Sequence, residues 1–218
     1  MSTEPPNFIA DLVRCGYAVI SDDGRQIGEC LALVERFYAL PLRERVAARC
    51  QPPSIWGYSI DDFEFQEAVT EGLFEDASRA RFVHPRPRGY SAFDFRSEES
   101  SRETDEFNDL MCGKIFPKDS LGREAEALLA QLAVTFSPYV HAAVESVSGD
   151  RPRADRAYCS ARLLKYFPGA RGHSKEHVDF EFLTFLCANG PGLQVLGPNG
   201  WRDVVFSESS WIVLAGES

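Results

Sequence analysis

The sequence predicts an α+β fold in which helices come first and an antiparallel sheet or barrel follows. Three observations carry this. Leu128, Leu132, Phe136, Val140 and Val144 recur at every fourth position, which marks one long core-facing helix. The chain changes character at Arg151-Pro152-Arg153, beyond which short apolar runs alternate with turns. Asn199-Gly200, inside Pro198-Asn199-Gly200, is the strongest short signal for a β-hairpin. No linker or internal repeat divides the chain. One domain is therefore expected over 1–218, helical over 1–150 and built of strands over 151–218.

The elements follow in order. Ile9, Leu12 and Val13 suggest a short leading helix, and Gly16-Tyr17-Ala18-Val19-Ile20 a β-branched strand. Asp22-Asp23-Gly24 supplies a turn. Ile27, Leu31, Val34 and Tyr38 then form one apolar helical stripe, interrupted at Pro41. Residues 51–100 are rich in Pro, Phe, Arg and Asp and read as loops with short helices. Trp56, Tyr58 and Phe63 in this stretch are read as core or rim packing, with substrate contact as the alternative. Ser120 to Val147 is the long helix, with Pro138 as a point of kinking and His141 as a packed or surface residue. Five strands are expected at Ala157–Phe167, Val178–Cys187, Leu193–Leu196, Trp201–Phe206 and Trp211–Ala215.

Composition narrows the function classes. The 218 residues are 44% hydrophobic and 26% charged, enough for one sizeable core. A net charge of −10 opposes binding to nucleic acid and to anionic lipid. No apolar run approaches the length needed to span a bilayer, and the N-terminus lacks the features of a signal peptide. The six cysteines form no C-x-x-C pair, which fits free thiols in a reducing cytoplasm. Four histidines, with no H-x-H or H-E-x-x-H among them, argue against a zinc hydrolase.

The sharpest chemical feature is Glu176-His177-Val178-Asp179-Phe180. In an extended segment, residues two apart point the same way, so His177 and Asp179 would project side by side. An imidazole nitrogen and a carboxylate oxygen are two of the three ligands in the facial triad of non-haem Fe(II) oxygenases. Taken alone, an H-x-D triplet is weak evidence, because most are surface polar residues.

Its surroundings strengthen it. Upstream stands Arg162-Leu163-Leu164-Lys165-Tyr166-Phe167-Pro168-Gly169, and downstream Phe182-Leu183-Thr184-Phe185-Leu186. Gly192-Leu193-Gln194-Val195, the Asn199-Gly200 turn and Trp201-Arg202-Asp203-Val204 follow, then Trp211 to Ala215 with Gly216-Glu217. Gly16 to Ile20 and Phe37-Tyr38-Ala39-Leu40-Pro41-Leu42 add looser matches. In this order and spacing the motifs resemble the isopenicillin N synthase-like family of Fe(II)/2-oxoglutarate-dependent dioxygenases. The resemblance is specific over 162–217 and vague over 51–150.

The resemblance implies a double-stranded β-helix, a jelly-roll-like barrel with flanking helices. It implies Fe(II) held by His177 and Asp179, with 2-oxoglutarate and O2 as cosubstrates and a small molecule as the substrate to be hydroxylated, desaturated or cyclised. Lys165 matches a position near the cosubstrate in some relatives; it is equally a polar outlier on a core face. Phe167 stands where many relatives carry tyrosine. The family's third ligand is a histidine further along, followed by an R-x-S pair for 2-oxoglutarate, and the sequence stops at Ser218 before either. The barrel is therefore expected to be incomplete, lacking its last strands. Such a chain is a fragment, a shortened inactive product, or one that takes a ligand from elsewhere, such as His173 or a second chain. Open barrel edges would favour self-association. The rival reading is a non-catalytic remnant or binding module that keeps the barrel without its chemistry.

Overall fold

The computed structural model describes residues 8–49, 56–75, 89–96, 120–149, 159–169, 174–197 and 199–217. These form two compact units. The first comprises residues 1–32, 131–157 and 176–218, and the second residues 33–130 and 158–175.

The first unit opens with α1 (Phe8–Cys15) and β1 (Tyr17–Ser21). Gly16 makes the corner between them. Its N–H donates to the Leu12 carbonyl at 2.8 Å, and its φ of +75° is a backbone state that favours glycine. The beginning of α2 (Arg25–Ala39) and the later part of α5 (Ser120–Ser148) belong to this unit. So do β5 (Leu183–Leu186), β6 (Gln194–Gly197), β7 (Gly200–Asp203) and β8 (Ser210–Ala215). Strands β1, β8 and β5 form an antiparallel sheet in that order, with Tyr17 opposite Leu214 and Phe185 opposite Val213.

The core of this unit gathers Phe8, Leu12, Ala18, Ile20, Ile27, Phe136, Ala143, Trp211 and Val213. Phe136 stacks on Phe185 at 3.9 Å between ring centroids and meets Trp211 edge-on at 4.9 Å. Strands β6 and β7 form the hairpin that Asn199-Gly200 signals, with Gly197 opposite Gly200. Arg202 of β7 donates to the Cys15 carbonyl at 3.1 Å, satisfying an orphan acceptor at the end of α1.

The second unit holds the rest of α2, α3 (Leu42–Ala47), β2 (Gly57–Ser59), α4 (Asp62–Thr70), β3 (Tyr90–Arg96), the beginning of α5 and β4 (Ser160–Tyr166). Strands β2, β3 and β4 form an antiparallel sheet in that order. Asp61 caps α4 by accepting from the Phe63 N–H at 3.1 Å. Phe37, Tyr58, Phe65 and Phe93 are fully buried. Among them lies a polar cluster: the Glu64 carboxylate accepts from the Arg45 guanidinium, the Tyr58 hydroxyl and the Ser91 hydroxyl.

The helices at 25–39 and 120–148, the first strand and the C-terminal hairpin agree with the sequence expectation. Two expectations are corrected. Residues 51–100 contain two strands besides the short helix α4; β3 gives no periodic signal because Ser91 to Phe95 are all buried, which leaves no alternation to read. And α5, over Leu121–Ser148, is long and apolar enough to cross a membrane by length and composition alone, contrary to the sequence reading. Several of its apolar side chains, Leu121, Leu129 and Phe136 among them, are buried in the protein core. Antiparallel strands with helices are present as expected; the described strands form two three-stranded sheets and one hairpin.

Candidate metal centre

The candidate ligands sit on the stretch that leads into β5. A strand expected over Val178–Cys187 begins only at Leu183, and residues 176–182 are irregular. The cause lies beyond the end of β8. The Gly216 N–H donates to the Phe182 carbonyl at 3.1 Å, and the Glu217 N–H to the Asp179 carbonyl at 2.9 Å. Adjacent donors thus reach carbonyls three residues apart, so the segment is bulged out of the ladder. The approach is close. A Cβ on Gly216 would stand 1.7 Å from the Glu181 carbonyl oxygen and 2.7 Å from that of Asp179. Only a residue without a side chain allows it.

The bulge nevertheless brings the two candidates together. His177 Nε2 lies 3.3 Å from Asp179 Oδ1. The Asp179 side chain is 24% exposed and that of His177 is 58% exposed, so the pair is open to an ion from solution. Two donors about 2.1 Å from one metal, at neighbouring positions of its coordination shell, stand about 3 Å apart. The observed separation fits that requirement. Both donor types also suit non-haem Fe(II).

Among the described residues, no group of three or more His, Cys, Asp and Glu side chains is arranged to hold a metal. His141 is half-buried on α5. His84 and His173 lie outside the described residues.

Lys165 belongs to the second unit, on β4 opposite Ser91. Its ammonium stands 5.4 Å from the ring centroids of both Tyr38 and Phe167, and no described carboxylate pairs with it. Tyr38 is fixed from beneath, its hydroxyl donating to the carbonyls of Ser91 at 2.8 Å and Leu163 at 3.2 Å. Burial holds that phenol neutral, far above its ordinary range, with Tyr58 and Glu64 adding to the effect. Lys165 is thus a half-buried cation held by aromatic faces, which suits the recognition of a carboxylate. Of the aromatic residues singled out in the sequence, Tyr58 is core, whereas Phe63 is 66% exposed and stacks on Phe167 at 6.3 Å.

Two features are only partly legible in the sequence or not at all. Gly216 and Glu217 form a recognisable motif, but their hydrogen bonds to the Phe182 and Asp179 carbonyls depend on a register that no local pattern displays. Arg45, half of the buried Arg45–Glu64 pair, stands in a stretch that reads only as charged.

No protein-family model and no curated protein matches the sequence. Solved structures do. A Caulobacter crescentus protein described as of the 2OG-Fe(II) oxygenase family matches with a TM-score of 0.68 at 18% identity, covering 96% of this chain and 67% of that one. A full-length Neurospora crassa protein, solved with alpha-KG and thymine, matches with a TM-score of 0.64 at 19% identity, covering 96% and 67%. A Shewanella oneidensis protein described as an oxygenase matches with a TM-score of 0.64 at 16% identity, covering 98% and 74%. At these identities the likeness is one of fold. The chain spans about two thirds of the Caulobacter and Neurospora proteins.

Proposed function

We propose that this chain is an Fe(II)-dependent oxidoreductase that oxidises a small molecule with 2-oxoglutarate and O2, within a double-stranded β-helix. The observation that carries the reading is the His177–Asp179 pair at 3.3 Å, on a fold like that of 2OG-Fe(II) oxygenases. His177 and Asp179 would hold the metal through imidazole nitrogen and carboxylate oxygen. When bound there, iron would supply the oxidising chemistry, coupled to conversion of 2-oxoglutarate to succinate and carbon dioxide. The protein's share is to fix donor geometry. Glu217 holds the Asp179 carbonyl and Gly216 that of Phe182, which keeps the Asp179 carboxylate beside His177. Lys165 would take a carboxylate of the cosubstrate as a point charge. A small planar substrate is in keeping with the thymine-bound Neurospora structure.

The test is anaerobic Fe(II) titration of the protein, followed by measurement of succinate release. Wild type should bind one Fe(II), and His177→Ala and Asp179→Ala should each lose that binding. Succinate should form only when iron, 2-oxoglutarate and O2 are all present. Undiminished stoichiometric binding in His177→Ala would remove the assignment. Iron binding without any succinate would favour the binding-module reading.

A further inference from the structure

In the second unit a cation and an exposed ring share one neighbour. The Lys165 ammonium stands 5.4 Å from the Phe167 ring centroid. Phe63, in the first turn of α4, lies parallel to the same ring, at 6.3 Å between centroids and 11° between planes. Phe63 is 66% exposed, although Asp61 and Glu64 on either side of it are buried. Both of those residues are tied to Ser91. The Asp61 N–H donates to the Ser91 hydroxyl oxygen at 2.9 Å, and that hydroxyl donates to the Glu64 carboxylate. The Ser91 carbonyl accepts from the Tyr38 hydroxyl at 2.8 Å, and Ser91 stands opposite Lys165 in the ladder of β3 and β4. Phe167 is fixed as well, its N–H donating to the Gly89 carbonyl at 3.1 Å. One buried serine thus joins the mount of Phe63 to that of Lys165.

We infer that Phe63 is a specificity-determining residue, which selects a planar, unsaturated substrate by stacking while Lys165 holds the carboxylate of the cosubstrate. The inference rests on the cosubstrate role proposed above for Lys165. A single exposed apolar residue is ordinary on a protein surface. Phe63 differs in being aromatic, aligned with a second ring and carried on a helix turn whose flanking residues are locked into the core. Flat π-systems prefer offset stacks with centroids about 4.5–7 Å apart, the arrangement Phe63 and Phe167 already have. A flat ligand on the open surface of Phe63 extends that stack and removes apolar surface from water. A ring whose mount is already ordered loses little freedom on binding.

The two side chains read different properties. Lys165 offers a point charge and recognises an anion. Phe63 offers a flat face and no hydrogen-bonding group, and recognises shape. An uncharged planar ligand therefore depends on Phe63 and is indifferent to Lys165. A saturated ring of the same carbon skeleton is puckered, meets the Phe63 face at fewer atoms and has no π-system to stack.

The experiment titrates the full chain, free of metal and of 2-oxoglutarate, with two probes in equilibrium dialysis: 2-naphthol, which is flat, and decahydro-2-naphthol, its saturated counterpart. Phe63→Leu keeps an apolar side chain and removes the ring. It should weaken 2-naphthol binding about fivefold and change decahydro-2-naphthol binding by less than about twofold. Phe63→Tyr keeps the ring and should bind 2-naphthol within about twofold of wild type. Lys165→Ala should leave 2-naphthol binding unchanged. The exposure of Phe63 lets its variants fold, which circular dichroism checks. Wild type that does not distinguish the two probes, Phe63→Leu that binds 2-naphthol as tightly as wild type, or a Phe63→Tyr loss as large as that of Phe63→Leu overturns the inference. Neither iron nor 2-oxoglutarate takes part, so the outcome is separate from that of the succinate assay. Selective 2-naphthol binding without succinate release would leave the planar site in place and remove only the oxidoreductase reading.

Discussion

The backbone N–H of Glu217 donates to the carbonyl of Asp179 at 2.9 Å, so a residue just past β8 clamps the residue that bears the candidate carboxylate ligand. The clamp closes because Gly216, beside it, has no side chain to strike the Glu181 carbonyl.

Gly216→Ala should therefore loosen the site without touching either candidate ligand. A Cβ at 1.7 Å from a carbonyl oxygen forces the 179–182 backbone away from β8. Loss of support around a ligand typically weakens metal affinity by about 10- to 100-fold. The expected outcome is a rise of at least about tenfold in the Fe(II) dissociation constant, read by anaerobic titration. Unchanged affinity would show that the clamp does not set the ligand geometry.

The Arg45–Glu64 pair is a second point of leverage. Both residues are buried, at 7% and 4% exposure, and the carboxylate also accepts from Tyr58 and Ser91. Removing one partner leaves an unpaired charge in the core, which costs about 3–5 kcal/mol. Glu64→Ala should lose stability on that scale in chemical denaturation. The double variant Arg45→Met, Glu64→Leu should lose distinctly less, since no charge is left stranded.

Alkaline pH should strike the same region. Burial raises the phenols of Tyr38 and Tyr58 far above their ordinary value of 10.0. Below about pH 10 both tyrosines keep their protons whether the chain is folded or unfolded, so they add no pH dependence. Above it the unfolded chain gives up those protons first, and stability falls by up to about 1.4 kcal/mol per pH unit for each tyrosine. Denaturant midpoints measured from pH 8 to 11 should drop beyond about pH 10. Tyr38→Phe should make that drop shallower, because one of the buried phenols no longer ionises in the unfolded chain.

Lys165→Ala tests the cosubstrate assignment separately from the metal. A hydrogen bond to a charged group contributes about 1.5–3 kcal/mol, which corresponds to about tenfold or more in affinity. The KM for 2-oxoglutarate should rise by at least that factor while the Fe(II) dissociation constant stays unchanged. A parallel loss of both would assign Lys165 a structural role on β4 instead.

Much of this architecture is legible in the residues. Ile27, Leu31, Val34 and Tyr38 announce α2, and Asn199-Gly200 announces the hairpin, because each signal is local. Strand β3 is hidden by its own burial: Tyr90 to Phe95 are buried throughout, and Ser91 and Asp94 interrupt the apolar run. His177 and Asp179 are neighbours as expected, although for a different local reason. Alternation along a strand predicts their meeting, whereas a bulge held by Gly216 and Glu217 produces it. Tertiary contacts of that kind join residues far apart in sequence and leave no mark in any short window.

The register of β1 has a consequence for how the molecule is made. Tyr17 pairs with Leu214 and Ile20 with Trp211, so β1 waits for a strand made much later in the chain. Until β8 arrives, β1 has neither its hydrogen-bonding neighbour nor the indole that seals Ile20 and Phe136 into the core. Contacts of such long range close slowly, because the intervening chain must lose its freedom before any contact forms to offset that loss. Synthesis therefore passes through a long interval in which an apolar strand edge is exposed, the interval when chaperones matter most to its yield.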